Sequence, residues 1–186
     1  MRRLICLVIV INFLLIFVPG KSSCYAAAAK QELDWDYLTP YENDRNLDTV
    51  SLHILKKISE TKNRSVYRGV TITRPHGNVT FNDQFQGSSA VGIGPVYLVR
   101  NERYHSGKLS VAFDISGGFI IYNKSFPAGG RYYNFMWRIG PKFIYKTGKN
   151  SSVNIGYMLM HVSNGFKSHN PGYDAHGISL DFTTNF

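Results

Sequence analysis

The stretch RYYNFMWRIGPKFIYK, residues 131–146, changes side-chain character at nearly every second position. Tyr133, Phe135, Trp137, Ile139, Phe143 and Tyr145 fall on one face of an extended chain, and Asn134, Arg138, Gly140, Lys142 and Lys146 on the other. A helix would mix these two sets around its circumference. A strand separates them, because successive side chains point to opposite faces. After the short turn TGKN the pattern returns, with Val153, Ile155, Tyr157 and Leu159 on one face. The last run sets Ile178, Leu180, Phe182 and Phe186 against Ser179, Asp181, Thr183 and Asn185. Upstream, Leu109, Val111, Phe113, Ile115, Phe119 and Ile121 share a face, and Gly117-Gly118 within that run predicts a kink or bulge. SSAVGIGPVYLVR, SVYRGVTITR and TVSLHILKKI are weaker versions, and QELDWDYL supplies an eighth strand.

No part of the chain after residue 29 reads as a long amphipathic helix. Eight strands without helices fit a soluble barrel of lipocalin type or an outer-membrane barrel. The runs exceed the ~5–6 residues usual in soluble sheets. Tyr132, Tyr133, Tyr145 and Phe182 sit toward strand ends, as interfacial girdles do, and the chain closes on an alternating strand with a terminal Phe186. We therefore expect an all-β fold, an eight-stranded antiparallel up-and-down outer-membrane β-barrel. Longer segments at 40–47, 75–87, 124–130 and 165–173 are expected as external loops, and 60–63, 101–106 and 147–150 as internal turns. Such a small barrel fills its interior with side chains, which argues against a transport pore.

The N-terminus carries its own message. Arg2 and Arg3 precede an apolar run from Leu4 to Val18, broken only by Asn12, and small residues follow at Ala26 to Ala29. This is the order of a secretory signal peptide, too short to span comfortably as a helix. Residues 1–29 are expected to be the leader, cleaved near Ala28 or Ala29, and residues 30–186 a single barrel domain. Both cysteines, Cys6 and Cys24, fall in the leader, so no disulfide is expected in the mature chain. Losing Arg2, Arg3 and Lys21 lowers the net charge from +9 to +6. A basic exported protein suits an anionic surface such as lipopolysaccharide phosphates. An exported chain without a recognition-helix or RNP pattern makes nucleic acid a poor partner.

The segment HVSNGFKSHNPGYD, residues 161–174, raises the functional question. If the odd positions 153–159 face lipid, His161 and Ser163 continue that face. The parity of the last strand turns Asp174 and His176 outward as well. Ionisable side chains facing a bilayer are costly and call for a function. Residues i and i+2 on a strand lie ~6.5–7 Å apart, so an imidazole at 161 can reach a hydroxyl at 163. A serine hydroxyl becomes a nucleophile when a base takes its proton, and the base works best when a carboxylate holds its other nitrogen. Asp174, returned by the loop to the adjacent strand, can serve, with His176 as an alternative support for His161. Backbone or amide donors near Asn164, Gly165 and Asn170 can hold an oxyanion. His161, His169, His176 and Asp174 are also metal-ligand types, but their spacing matches no familiar zinc site, so no metal or cofactor is assigned. Asp181 points inward on the same parity and belongs to a solvated lumen network. A non-catalytic barrel, acting as an adhesin or stabilising the membrane, is the competing reading.

HVSNG, followed by NPG and the closing strand, resembles the lipid A 3-O-deacylase family (PagL-like), whose members carry a His-x-Ser-Asn motif near the C-terminus. GGFIIYNKSFPAGGRYYNF is similar to the region before that motif in acyloxyacyl hydrolase-type outer-membrane sequences. The likeness spans roughly the last 80 residues, and the remainder is alike only in architecture. It implies an outer-membrane serine esterase that removes the acyl chain ester-linked at the 3-position of lipid A. Carried over, Ser163 is the nucleophile, His161 the base and Asn164 the rest of the motif, while Asn170 matches an oxyanion-site asparagine. The family acid, a glutamate four positions later, is replaced here by Asp174, and the interval from His161 to Asn170 is one residue shorter. Lipid A and the membrane are the implied partners, and a homodimer stays open.

Overall fold

The computed structural model describes residues 30–41, 45–164 and 171–185. Its strands are β1 (Lys30–Pro40), β2 (Arg45–Glu60), β3 (Arg64–Phe81), β4 (Gln84–Ser89), β5 (Gly92–Ser106), β6 (Leu109–Phe126), β7 (Arg131–Lys146), β8 (Ser152–Ser163) and β9 (Tyr173–Asn185). Every pairing is antiparallel, and the sheet closes because β1 pairs with both β2 and β9 while β2 also pairs with β3. The β3 register runs unbroken from β4 (His76↔Ser89) into β5 (Thr73↔Gly92), so these two strands form one stave. The result is a closed eight-stranded antiparallel barrel, as the alternation predicts. QELDWDYL does form the first strand.

Several local expectations change, and the expected loops 40–47 and 124–130 are shortened because β2 begins at Arg45 and β6 runs to Phe126. The segment 75–87, read as a loop, is mostly strand. β3 and β4 run out to a tight hairpin whose turn residues, Asn82 and Asp83, take φ of 51° and 59°. Two successive left-handed residues make the turn whose twist matches a β-ribbon, and Asn and Asp tolerate that region better than other non-glycine residues. The expected turn at 101–106 lies within β5, and the chain reverses one step later at Gly107, with φ of 58°. Across Gly117 and Gly118 the β5–β6 register does not shift; it shifts between Glu102 and Tyr104. Glycine at 118 instead permits close approach, since a Cβ there would sit 2.7 Å from the Pro95 carbonyl oxygen.

The interior has two layers. Toward the end carrying the Asn82–Asp83 hairpin, Leu38, Leu47, Phe126, Met160, Val162 and Tyr173 form an apolar plug. Below it lies a buried ionic layer. Arg138 donates to Asp34 at 2.8 Å and to Asp36. Arg100 bridges Glu32 at 2.7 Å and Asp114 at 2.8 Å. Lys142 holds Asp181 at 2.5 Å and Ser179 at 2.9 Å. Asp181 thus points inward as expected, but it is buried and ion-paired rather than solvated. The alternate positions, among them Leu33, Ile115, Phe143, Ile155 and Leu180, are exposed on the outer wall. That exterior is the apolar band of a membrane-spanning barrel. At the end away from the hairpin, Lys30, Lys57, Lys62, Lys146 and Lys149 border a recess of about 240 Å³. These five lysines therefore collect opposite the end where His161, Ser163 and Asp174 lie.

Removing one member of a buried ion pair strands its partners without water, at a cost of about 3–5 kcal/mol. Arg138→Ala is expected to lower the denaturant midpoint of the detergent-solubilised barrel accordingly. Unfolding followed by tryptophan fluorescence and by heat-modifiable gel mobility checks this.

Candidate active site on the barrel wall

The interior fixes the parity of the three strands that build the site. Arg138 and Lys142 of β7, Asn154 of β8 and Asp181 of β9 all point inward and are buried. One-residue alternation then turns Trp137, His161, Ser163 and Asp174 outward. Register supplies the rest: Trp137 pairs with His161 and His161 with Asp174, a single row across β7, β8 and β9. Phe135 pairs with Ser163 in the next outward row.

Along that row His161 Nδ1 lies 2.7 Å from Asp174 Oδ1, and the two side chains are 31% and 40% exposed. With Nδ1–H donating to the carboxylate, the imidazole keeps its Nε2 lone pair free to accept a proton. Directly opposed residues have Cβ atoms only ~4.5–5.5 Å apart, so an aspartate spans the gap without the extra reach of a glutamate. Ser163 is half-buried, two positions beyond His161 on the same outward column. The arrangement places a hydroxyl, an imidazole and a carboxylate on the lipid side of adjacent strands.

His176 is engaged elsewhere. Its Nδ1 bonds the Tyr157 hydroxyl, its ring meets Tyr41 edge-on at 5.5 Å, and its carbonyl accepts from Thr39 Oγ1 at 3.2 Å. His161 is therefore supported by Asp174 and not by His176. Asn164 is buried at the end of β8, so its side chain lies on the interior side. Gly165, Asn170 and His169 lie outside the described residues.

Two further residues shape the site. The Trp137 ring stacks on His161 with centroids 5.6 Å apart and an interplanar angle of 29°. An aromatic face packed beside an imidazole restricts the plane of its ring. Trp137 shares the outward parity of His161, which sequence displays, but their pairing requires the register. Gly172 passes so near β8 that a Cβ there would lie 2.6 Å from the Val162 carbonyl oxygen and 3.2 Å from Ser163 Cβ. In sequence it reads only as the end of an NPG turn. Asp34, Asp36 and His53 bring their potential metal-ligand atoms within 4.8 Å of one another inside the barrel. Arg138 already supplies the positive charge there, bonding both aspartates, so no metal is assigned.

Wall and lumen together define a small barrel of the outer-membrane class. The sequence model of the lipid A 3-O-deacylase (PagL) family matches residues 57–183, and the chain belongs to that family. Its fold is similar to the crystal structure of the outer membrane enzyme PagL, with a TM-score of 0.55 and 18% identity over 85% of this chain and 100% of that one. Compared directly, the sequence matches no curated protein. Family and barrel together indicate the bacterial outer membrane.

The His161–Asp174 contact has its own spectroscopic test. In micelles, a slowly exchanging, downfield imidazole Nδ1–H resonance is expected from His161 and should vanish in Asp174→Ala while the barrel stays folded. Its persistence in that variant would contradict the pairing.

Proposed function

We propose that the protein is an outer-membrane serine esterase that removes the acyl chain ester-linked at the 3-position of lipid A. The observation that carries this reading is the 2.7 Å contact between His161 and Asp174 on the lipid-facing wall, one outward step from Ser163. Membership in the lipid A 3-O-deacylase family supports it. A lipid ester arrives at such a wall by lateral diffusion, without leaving the bilayer.

In this mechanism His161 Nε2 takes the Ser163 Oγ proton as the oxygen attacks the ester carbonyl. The tetrahedral oxyanion is held by backbone or amide N–H donors, with Asn164, Gly165 and Asn170 as the candidates. Asp174 accepts from Nδ1–H and stabilises the imidazolium. Collapse of the intermediate breaks the bond to the sugar oxygen, which takes the proton from His161 and leaves as a hydroxyl, with the acyl group on Ser163. Water, activated by the same imidazole, then releases the fatty acid and restores the serine. Export is part of the proposal: residues 1–29 act as a signal peptide, cleaved near Ala28 or Ala29.

Mass spectrometry of lipid A from cells producing wild type, Ser163→Ala or His161→Ala at matched outer-membrane levels tests the reading. Loss of one hydroxyacyl chain is expected with the wild type only, the variants being slower by roughly three orders of magnitude or more. Identical lipid A in all three strains, with the barrels inserted, would contradict the esterase reading.

A further inference from the structure

The outward column of β7 continues past the site toward the loop end. Trp137 lies beside His161 and Phe135 beside Ser163, so Tyr133 and Arg131 are the next two outward positions. These two form a unit. Arg131 Nη1 donates to the Tyr133 hydroxyl at 2.7 Å, and its guanidinium carbon lies 5.7 Å from the Tyr133 ring centroid. Tyr133 stacks on Phe119 with centroids 5.6 Å apart at 28°, and Phe119 meets Phe135 edge-on at 5.4 Å. A cation is thus held in one orientation on three linked rings, the last of them paired with Ser163. Among the described residues no carboxylate pairs with Arg131, which is exposed.

We propose that Arg131, oriented by Tyr133, binds a phosphate of the glycolipid substrate and sets the height at which its ester meets Ser163, while Phe119 and Phe135 carry the neighbouring acyl chain. This deepens the esterase reading and rests on it for the identity of the ligand. Outward positions are spaced ~6.5–7 Å along a strand, which puts Tyr133 one step and Arg131 two steps beyond the level of Ser163. Lipid A carries phosphates and ester-linked chains on the same small disaccharide, so anchoring one places the other. A guanidinium suits the task because its planar fork matches phosphate oxygens bidentately. The rings below it offer an apolar track continuous with the lipid. The charge also lies where a headgroup does, beyond the last apolar positions of β7.

The test separates binding from hydrolysis. Full-length Ser163→Ala protein and the Ser163→Ala/Arg131→Gln double variant, both verified as folded by heat-modifiable mobility, are titrated in micelles. The ligands are bisphosphorylated lipid A, the same lipid A after dephosphorylation, and phosphatidylglycerol as a second source of phosphate. Arg131→Gln is expected to weaken bisphosphorylated lipid A about ten-fold or more, and to leave the dephosphorylated lipid unchanged. An Arg131→Lys version should recover part of the loss. Equal weakening of both lipid A forms, or none, would overturn the phosphate site. Phosphatidylglycerol binding as tightly, with the same dependence on Arg131, would overturn its role in selecting the glycolipid. Arg131-dependent binding by a wild-type protein that hydrolyses no lipid A would sink the esterase reading and leave the phosphate site standing.

Discussion

Arg138 sits inside the barrel with Asp34 and Asp36 as partners, and Arg100 and Lys142 do the same for Glu32, Asp114 and Asp181. Removing these charges from water is expensive, and the cost is offset only when every member finds its partner. A slip of one residue in any of these strands would carry a charge into the bilayer and an apolar side chain into the ionic layer. The ionic layer therefore determines which half of each strand meets lipid. Everything else on the wall inherits that choice, including the outward positions of His161, Ser163 and Asp174.

The site follows from that constraint together with the register. Parity alone turns four polar residues outward on β8 and β9. Register decides that His161 faces Asp174 on one side and Trp137 on the other, and that His176 is held by Tyr157. The cost of polar groups at a lipid-facing surface falls toward the ends of the strands. This row lies in the last residues of β8 and the first of β9. Hydrogen bonding within the row reduces it further, because each ring nitrogen or carboxylate oxygen so engaged is one fewer left bare in an apolar medium.

Much of this was legible in the sequence because a half-buried strand writes its environment with a period of two. The strand faces of β6 to β9, the inward Asp181 and the outward His161, Ser163 and Asp174 all come from that signal. What it lacks is register, which depends on backbone pairing between segments far apart in the chain. Trp137 and Gly172 were hidden for that reason: each acts through a cross-strand neighbour that no local pattern names. The Asn82–Asp83 turn was missed because it makes a left-handed pair without glycine, so FNDQ reads as ordinary loop. Gly117-Gly118 misled in the opposite sense, since glycines needed for close packing look like glycines at a bulge. The net positive charge was legible as a total but not as a distribution, and the lysines at the far mouth of the barrel show how little a sum says about which surface it serves. The family motif was readable in the C-terminal part, whereas the family match reaches back to residue 57.

The proposed esterase requires an activated serine that faces the bilayer and draws its substrate from it. Purified wild-type protein, reconstituted in phospholipid vesicles, can be treated with a long-chain alkyl fluorophosphonate that partitions into the membrane, and the adduct located by peptide mass spectrometry. A single adduct on Ser163 is expected, formed slowly or not at all in His161→Ala. Labelling at another serine, or labelling of Ser163 at the same rate without His161, would contradict it.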